Sequence, residues 1–281
     1  MNIFDHPEMR GVPTPALTAV LDGIGNLIIK GAPGCSVRGP AGVGKTWAFH
    51  YALKHTLELR LQKRVFCIHV SVPNHGSWNE FGLLSKMASE VDGMPLLCSP
   101  QMRSPTMGEL LDNVRSAINS SKSNLMILVI DEVWSYVEDW ELDVVLEVMQ
   151  ELNLTGIRTF IIFSETTDWL TPVQNRIKGR FGHLVDFPGI CTLLELRAVL
   201  EEYDKILRLP VGHSLASVVQ QMWDAFTNSG EPKCTEQQEI PIFIVDQLIS
   251  SALCEIGNTP WNVLVSRESW LSKIRQLRYL G

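Results

Sequence analysis

Gly39-Pro40-Ala41-Gly42-Val43-Gly44-Lys45-Thr46 is the stretch from which this sequence is best read. It fits GxxxxGK[ST], and it stands between a short apolar stretch, Cys35 to Arg38, and a helix-forming run from Lys45 to Leu61. In that setting the pattern has a mechanism. The glycines let backbone N–H groups turn inward around phosphate oxygens, the start of the helix adds its positive end, and Lys45 neutralises the outer phosphates. Thr46 supplies a hydroxyl for Mg2+. Residue frequencies alone would place such an octet in roughly 1% of chains this long. The eight residues therefore predict a site for ATP with Mg2+.

Outward from this loop, strand and helix signals alternate. Leu17 to Ile29 reads as a helix, and Val65 to Val72 as a β-branched buried strand. Trp78 to Val91 is helical, Asp92 to Thr106 is a loop carrying Pro95, Pro100 and Pro105, and helix resumes from Met107 to Asn119. Leu125 to Ile130 is an apolar run of strand length, followed by a helix face made by Leu142, Val145, Leu146, Met149 and Leu152. Ile157 to Phe163 is the next strand, Thr171 to Lys178 a short helix, and Leu184 to Phe187 a last short strand. Parallel neighbours need crossover connections, so this alternation predicts an α/β core of three layers around a parallel sheet. Beyond residue 190 only helical spacing remains, as in Leu196, Val199, Leu200, Tyr203 and Ile206. Two domains are expected: residues 1–190 as the core with an N-terminal extension, and residues 191–281 as a small all-helical lid ending in a basic helix.

Strand ends carry the remaining chemistry. Leu125-Met-Ile-Leu-Val-Ile-Asp131-Glu132 ends in two carboxylates about 85 residues after the loop. In that position Asp131 orients the Mg2+ shell and Glu132 polarises the attacking water. Thr159-Phe-Ile-Ile-Phe-Ser164-Glu-Thr166 ends in hydroxyls, and the carboxyl ends of parallel strands face the ligand, so Ser164, with Thr166 second, is the candidate sensor of the γ-phosphate. Asn175-Arg176-Ile-Lys178-Gly-Arg180-Phe181 is a basic cluster from which Arg180, with Arg176 second, can reach a neighbouring subunit's γ-phosphate. Arg103 in the Pro-rich loop and Lys122 are the candidate contacts to DNA phosphates.

With 45% hydrophobic residues in 281, the chain can bury a substantial core and a satellite domain, and its net charge of −7 leaves nucleic-acid binding to a local patch. Six cysteines without a CxxC pair read as reduced thiols, the start has no signal-like apolar run, and no apolar stretch is long enough to span a membrane. A cytoplasmic protein is expected. No Ser/His/Asp triad follows from the spacing, and Cys67 with His69 and His75 lacks the form of a metal site. Those histidines read as strand-edge or loop residues. After Pro260, Arg267, Lys273, Arg275 and Arg278 oppose only Glu268, while Leu264, Leu271 and Ile274 form an apolar stripe. That segment is either a lid helix packed by the stripe or a docking tail.

The order of GPAGVGKT, LVIDE, a strand ending in serine, NRIKGRF, FPGI and a helical tail resembles the AAA+ P-loop ATPases, near their initiator and transposition-regulator branch. Within that branch it is most similar to the TnsC, TniB and MuB group of transposition ATPases. The resemblance implies an ATPase that assembles with ATP on duplex DNA as a ring or filament of its own copies. It further implies target-site marking, recruitment or stimulation of a transposase, and contact with a target-selection protein. Replication initiators or helicase loaders, and NLR-like signalling NTPases, share the same core motifs and stand as alternatives. A sensor-2 Gly-x-Arg in the lid is not recognisable.

Overall fold

Buried strands of a parallel sheet read as unbroken apolar runs, as three of the five strands that pair here do. They are β1 (Gly34–Gly39), β2 (Val65–Ser71), β3 (Leu125–Val133), β4 (Arg158–Thr166) and β5 (Leu184–Asp186), in the sheet order β2-β3-β4-β1-β5. The pairs β2–β3, β3–β4 and β1–β5 are parallel. The computed structural model describes residues 14–71, 79–92, 105–133, 139–152, 154, 156–166, 183–207, 209, 211–227, 239–256 and 258–278. These residues form two compact units.

The sheet unit takes residues 21–38 and 48–186. Helices α4 (Glu80–Asp92), α5 (Met107–Ser120) and α6 (Asp139–Leu152) pack on one face of its sheet. Leu84, Met87, Val114, Ile118, Val145 and Val148 there cover Ile68, Met126, Leu128, Ile130, Ile161 and Phe163. Side chains alternate across a strand, so Val65, Cys67, His69, Ile127, Val129 and Asp131 point to the opposite face. Helix α5 starts in a capping box: Thr106 accepts from the Glu109 backbone N–H, and Glu109 reaches back to the Thr106 N–H. The register sets Ser71 beside Asp131, and slips between Ile130 and Val133.

The second unit takes residues 14–20, 39–47 and the described residues from 187 onward. Its core joins α7 (Leu193–Leu207), α8 (Val219–Thr227), α9 (Ile242–Glu255), α10 (Trp261–Leu264) and α11 (Arg267–Arg278), with Leu196, Tyr203, Met222, Leu248 and Trp270 fully buried. Parallel strands with flanking helices and a C-terminal helical region match the expected α/β fold class.

Several local expectations change. The run from Lys45 to Leu61 is not one regular helix: α2 (Lys45–Trp47) passes through a π-helical turn at Ala48–Ala52 before α3 (Leu53–Leu61). The run after Pro260 is two helices, because the chain turns at Val265 and Ser266. Lys273 is 7% exposed and donates to Ser251 Oγ at 3.1 Å and to Glu255. Of the apolar stripe, Leu264 and Ile274 are buried and Leu271 packs against the same core. The helix expected at Thr171 to Lys178 lies outside the described residues, as does most of the Pro-rich loop. Cys35, Cys67, Cys191 and Cys254 form no disulfide among the described residues. No helix among the described residues is long and apolar enough to cross a membrane.

Candidate nucleotide-binding site

The Gly39–Thr46 loop leaves β1 and enters α2, and its glycines are required by its path. Gly42 and Gly44 have φ of +75° and +95°, which side chains with a Cβ resist. A Cβ on Gly39 would stand 2.2 Å from the Phe187 carbonyl oxygen. Lys45 is 9% exposed and donates from Nζ to the carbonyls of Gly39 at 2.7 Å and Pro40 at 2.9 Å. The ammonium is thus held inside the loop that must neutralise phosphate charge. Thr46 is exposed. A glycine cradle, a fixed cation and a hydroxyl suit a nucleotide's phosphates and their Mg2+.

The helical region contributes to the same unit. The Phe243 N–H, in the first turn of α9, donates to the Gly42 carbonyl at 3.1 Å, and Ile242 packs where Gly44 has no side chain. A shallow, open depression is lined by Thr14, Pro15, Val43, Ile190, Glu195 and Ile242. Sequence reasoning missed these lining residues; the Phe-Pro-Gly-Ile stretch was their visible trace.

In the sheet unit, Asp131 stands at the carboxyl end of β3, 2% exposed. His69 Nε2 lies 3.5 Å from Asp131 Oδ2, and the His50 ring, from the π turn, packs against His69 with centroids 3.6 Å apart. Partial burial and the neighbouring His69 hold the His50 pKa below its ordinary value. Ser164 is 1% exposed, and its hydroxyl has no hydrogen-bond partner among the described residues. Strand alternation puts it on the face of Ile162 and Val129, the face that also bears His69. Glu165, on the other face, is 4% exposed and accepts from the Ser36 hydroxyl. Burial pushes the Cys35 and Cys67 thiols up to about 12, so neither is a nucleophile at neutral pH.

Glu132 lies in β3 and Thr166 in β4, but their side chains are outside the described residues, as are Arg103, Arg176 and Arg180 altogether. Lys122 is exposed in the turn before β3, with φ +53°, at the end of that strand opposite to Asp131.

No family model matches the sequence, and no curated protein matches it. Solved structures do. The ORC2 protein of Aeropyrum pernix, in ADPNP and ADP complexes, superposes with a TM-score of 0.61 at 15% identity, over 99% of this chain and 74% of that one. The ORC1 protein of the same organism, in complex with DNA, gives 0.61 at 16% over 96% and 68%. Domain III of the Thermotoga maritima replication initiation protein DnaA gives 0.50 at 14% over 96% and 97%. The fold is that of the AAA+ P-loop ATPases. The helix turn that touches the phosphate loop presents Ile242 and Phe243.

Proposed function

We propose that this chain is a Mg2+-dependent ATPase that uses ATP binding to assemble on duplex DNA and hydrolysis to disassemble. The observation that carries the nucleotide part is the Gly39–Thr46 loop: two left-handed glycines, a third with no room for a Cβ, and Lys45 fixed inside. In this reading Gly39, Pro40, Ala41, Gly42, Val43, Gly44, Lys45 and Thr46 hold the phosphates. Thr46 and Asp131 order the Mg2+ shell, Glu132 polarises water, Ser164 senses the γ-phosphate, and Arg180 acts on a neighbour's nucleotide. Residues 1–190 form the ATPase core and 191–281 its lid. DNA binding is supported by the likeness to the ORC1 protein solved with DNA and to a replication initiation protein, which favours an initiator or helicase-loader role.

A transposition regulator of the TnsC, TniB and MuB kind is the second reading, favoured by Arg176-Ile-Lys-Gly-Arg-Phe181 ahead of a short strand and Phe187-Pro-Gly-Ile190. The first reading expects a replicative helicase to alter turnover, and the second a transposase.

Two variants test the shared core. Lys45→Ala should lose nucleotide binding and DNA assembly together, because the phosphates lose their fixed cation. Glu132→Gln should bind ATP, remain assembled on DNA and hydrolyse at least about a hundredfold more slowly. Fluorescent-nucleotide titration, ATP turnover and electron microscopy with duplex DNA read these outcomes. Normal hydrolysis by Glu132→Gln would refute the assignment of the catalytic carboxylate, and no DNA-bound assembly by either wild type or Glu132→Gln would refute the DNA role.

A further inference from the structure

Two histidines far apart in sequence meet at Asp131. His69 is on β2, paired across the sheet with Val129, so its side chain shares a face with that of Asp131 two residues on. It is 8% exposed, its Nε2 lies 3.5 Å from Asp131 Oδ2, and that nitrogen makes no hydrogen bond among the described residues. The His50 ring packs against it, tilted 44° to that of His69. The pair is not a metal cage, since no group of three His, Cys, Asp or Glu side chains among the described residues could hold an ion. A core histidine kept only for packing would leave a buried polar nitrogen beside a carboxylate to no purpose.

We propose that His69 is a positioning residue for Asp131. Donation from Nε2 to Oδ2, 3.5 Å away, would fix the orientation of the carboxylate on which the nucleotide's Mg2+ shell depends, while the His50 ring packed against His69 holds the imidazole in place. Carboxylates around metal ions are themselves oriented by such outer hydrogen bonds, and losing one typically costs 10–100-fold in metal affinity. The proposal rests on the reading of Asp131 as the Mg2+-orienting carboxylate.

The test titrates Mg2+ into the full-length protein with a fluorescent ATP analogue, and repeats nucleotide binding in EDTA. His69→Phe keeps a ring and removes the donor, whereas His69→Gln keeps a donor near the Nε2 position. His69→Phe should raise half-saturating Mg2+ by about tenfold with EDTA affinity and melting temperature unchanged, and His69→Gln should restore most of the difference. Asp131→Asn is the reference. If it raises the Mg2+ requirement and His69→Phe does not, the positioning role is overturned while the Asp131 assignment stands. If Asp131→Asn itself has no effect, the assignment falls and the role of His69 with it. If His69→Phe weakens binding equally with and without Mg2+, and His69→Gln fails to rescue it, His69 is a packing residue and the proposal is wrong.

Discussion

Ser164 shows how a single residue can separate stability from chemistry. Its hydroxyl is buried without a partner among the described residues, and an unmade buried hydrogen bond costs about 1–3 kcal/mol. Replacing the group with a methyl therefore removes a cost. Ser164→Ala should leave the melting temperature unchanged or raised, yet slow ATP hydrolysis by about tenfold, equivalent to about 1.4 kcal/mol of barrier. Wild-type turnover in that variant, measured at saturating ATP, would make Ser164 an ordinary strand residue. The phosphate loop was legible from sequence because each of its positions has its own chemical requirement at fixed spacing. His50 and His69 were not. They lie 19 residues apart with no recognisable pattern, and only the pairing of β2 with β3 and the turn before α3 place them at Asp131.

Helix α9 is the element whose first turn meets the phosphate loop, and it carries a buried acid. Desolvation alone pushes the Asp246 pKa from 3.8 up to about 7, and its Oδ1 has no hydrogen-bond partner among the described residues. A carboxyl with a raised folded-state pKa favours folding when protonated. Its contribution is complete below pH 3.8 and is lost as pH rises through about 7, on the order of a few kcal/mol. Asp246→Asn should therefore melt close to wild type near pH 4 and well above it at pH 8. A melting difference that is constant between those values would show that Asp246 is not titrating in this window. Strands β2, β3 and β4 were readable in advance because strands buried on both faces are continuously apolar. The π turn was not, since Ala48-Phe-His-Tyr-Ala52 is compatible with a regular helix and the extra residue answers to packing. The break at Val265 and Ser266 was hidden for the same reason: neither residue forbids a helix.

For the whole molecule, the sequence carried the α/β class and the change to helices near residue 190, because periodicity switches from continuous apolar runs to 3.6-residue spacing there. It carried less about charge. Lys273 counted among the positive charges after Pro260, yet three-dimensional packing pairs it with Glu255. Assembly is the property that residue spacing reaches only indirectly, through Arg180. In a head-to-tail contact each subunit gives one surface to a neighbour and receives a different one, so a nucleotide bound by one chain's Lys45 is completed by the next chain's arginine. Arg180→Ala and Lys45→Ala then damage opposite sides of the same junction. Each alone should hydrolyse ATP at least about tenfold more slowly than wild type. A mixed assembly restores some intact junctions wherever the Arg180→Ala chain, which keeps Lys45, meets the Lys45→Ala chain, which keeps Arg180. In a random one-to-one mixture about a quarter of junctions combine both intact sides, so turnover should rise above that of either variant alone and peak near equal proportions. Turnover that varies linearly between the two parents at every ratio would place Arg180 outside its neighbour's site.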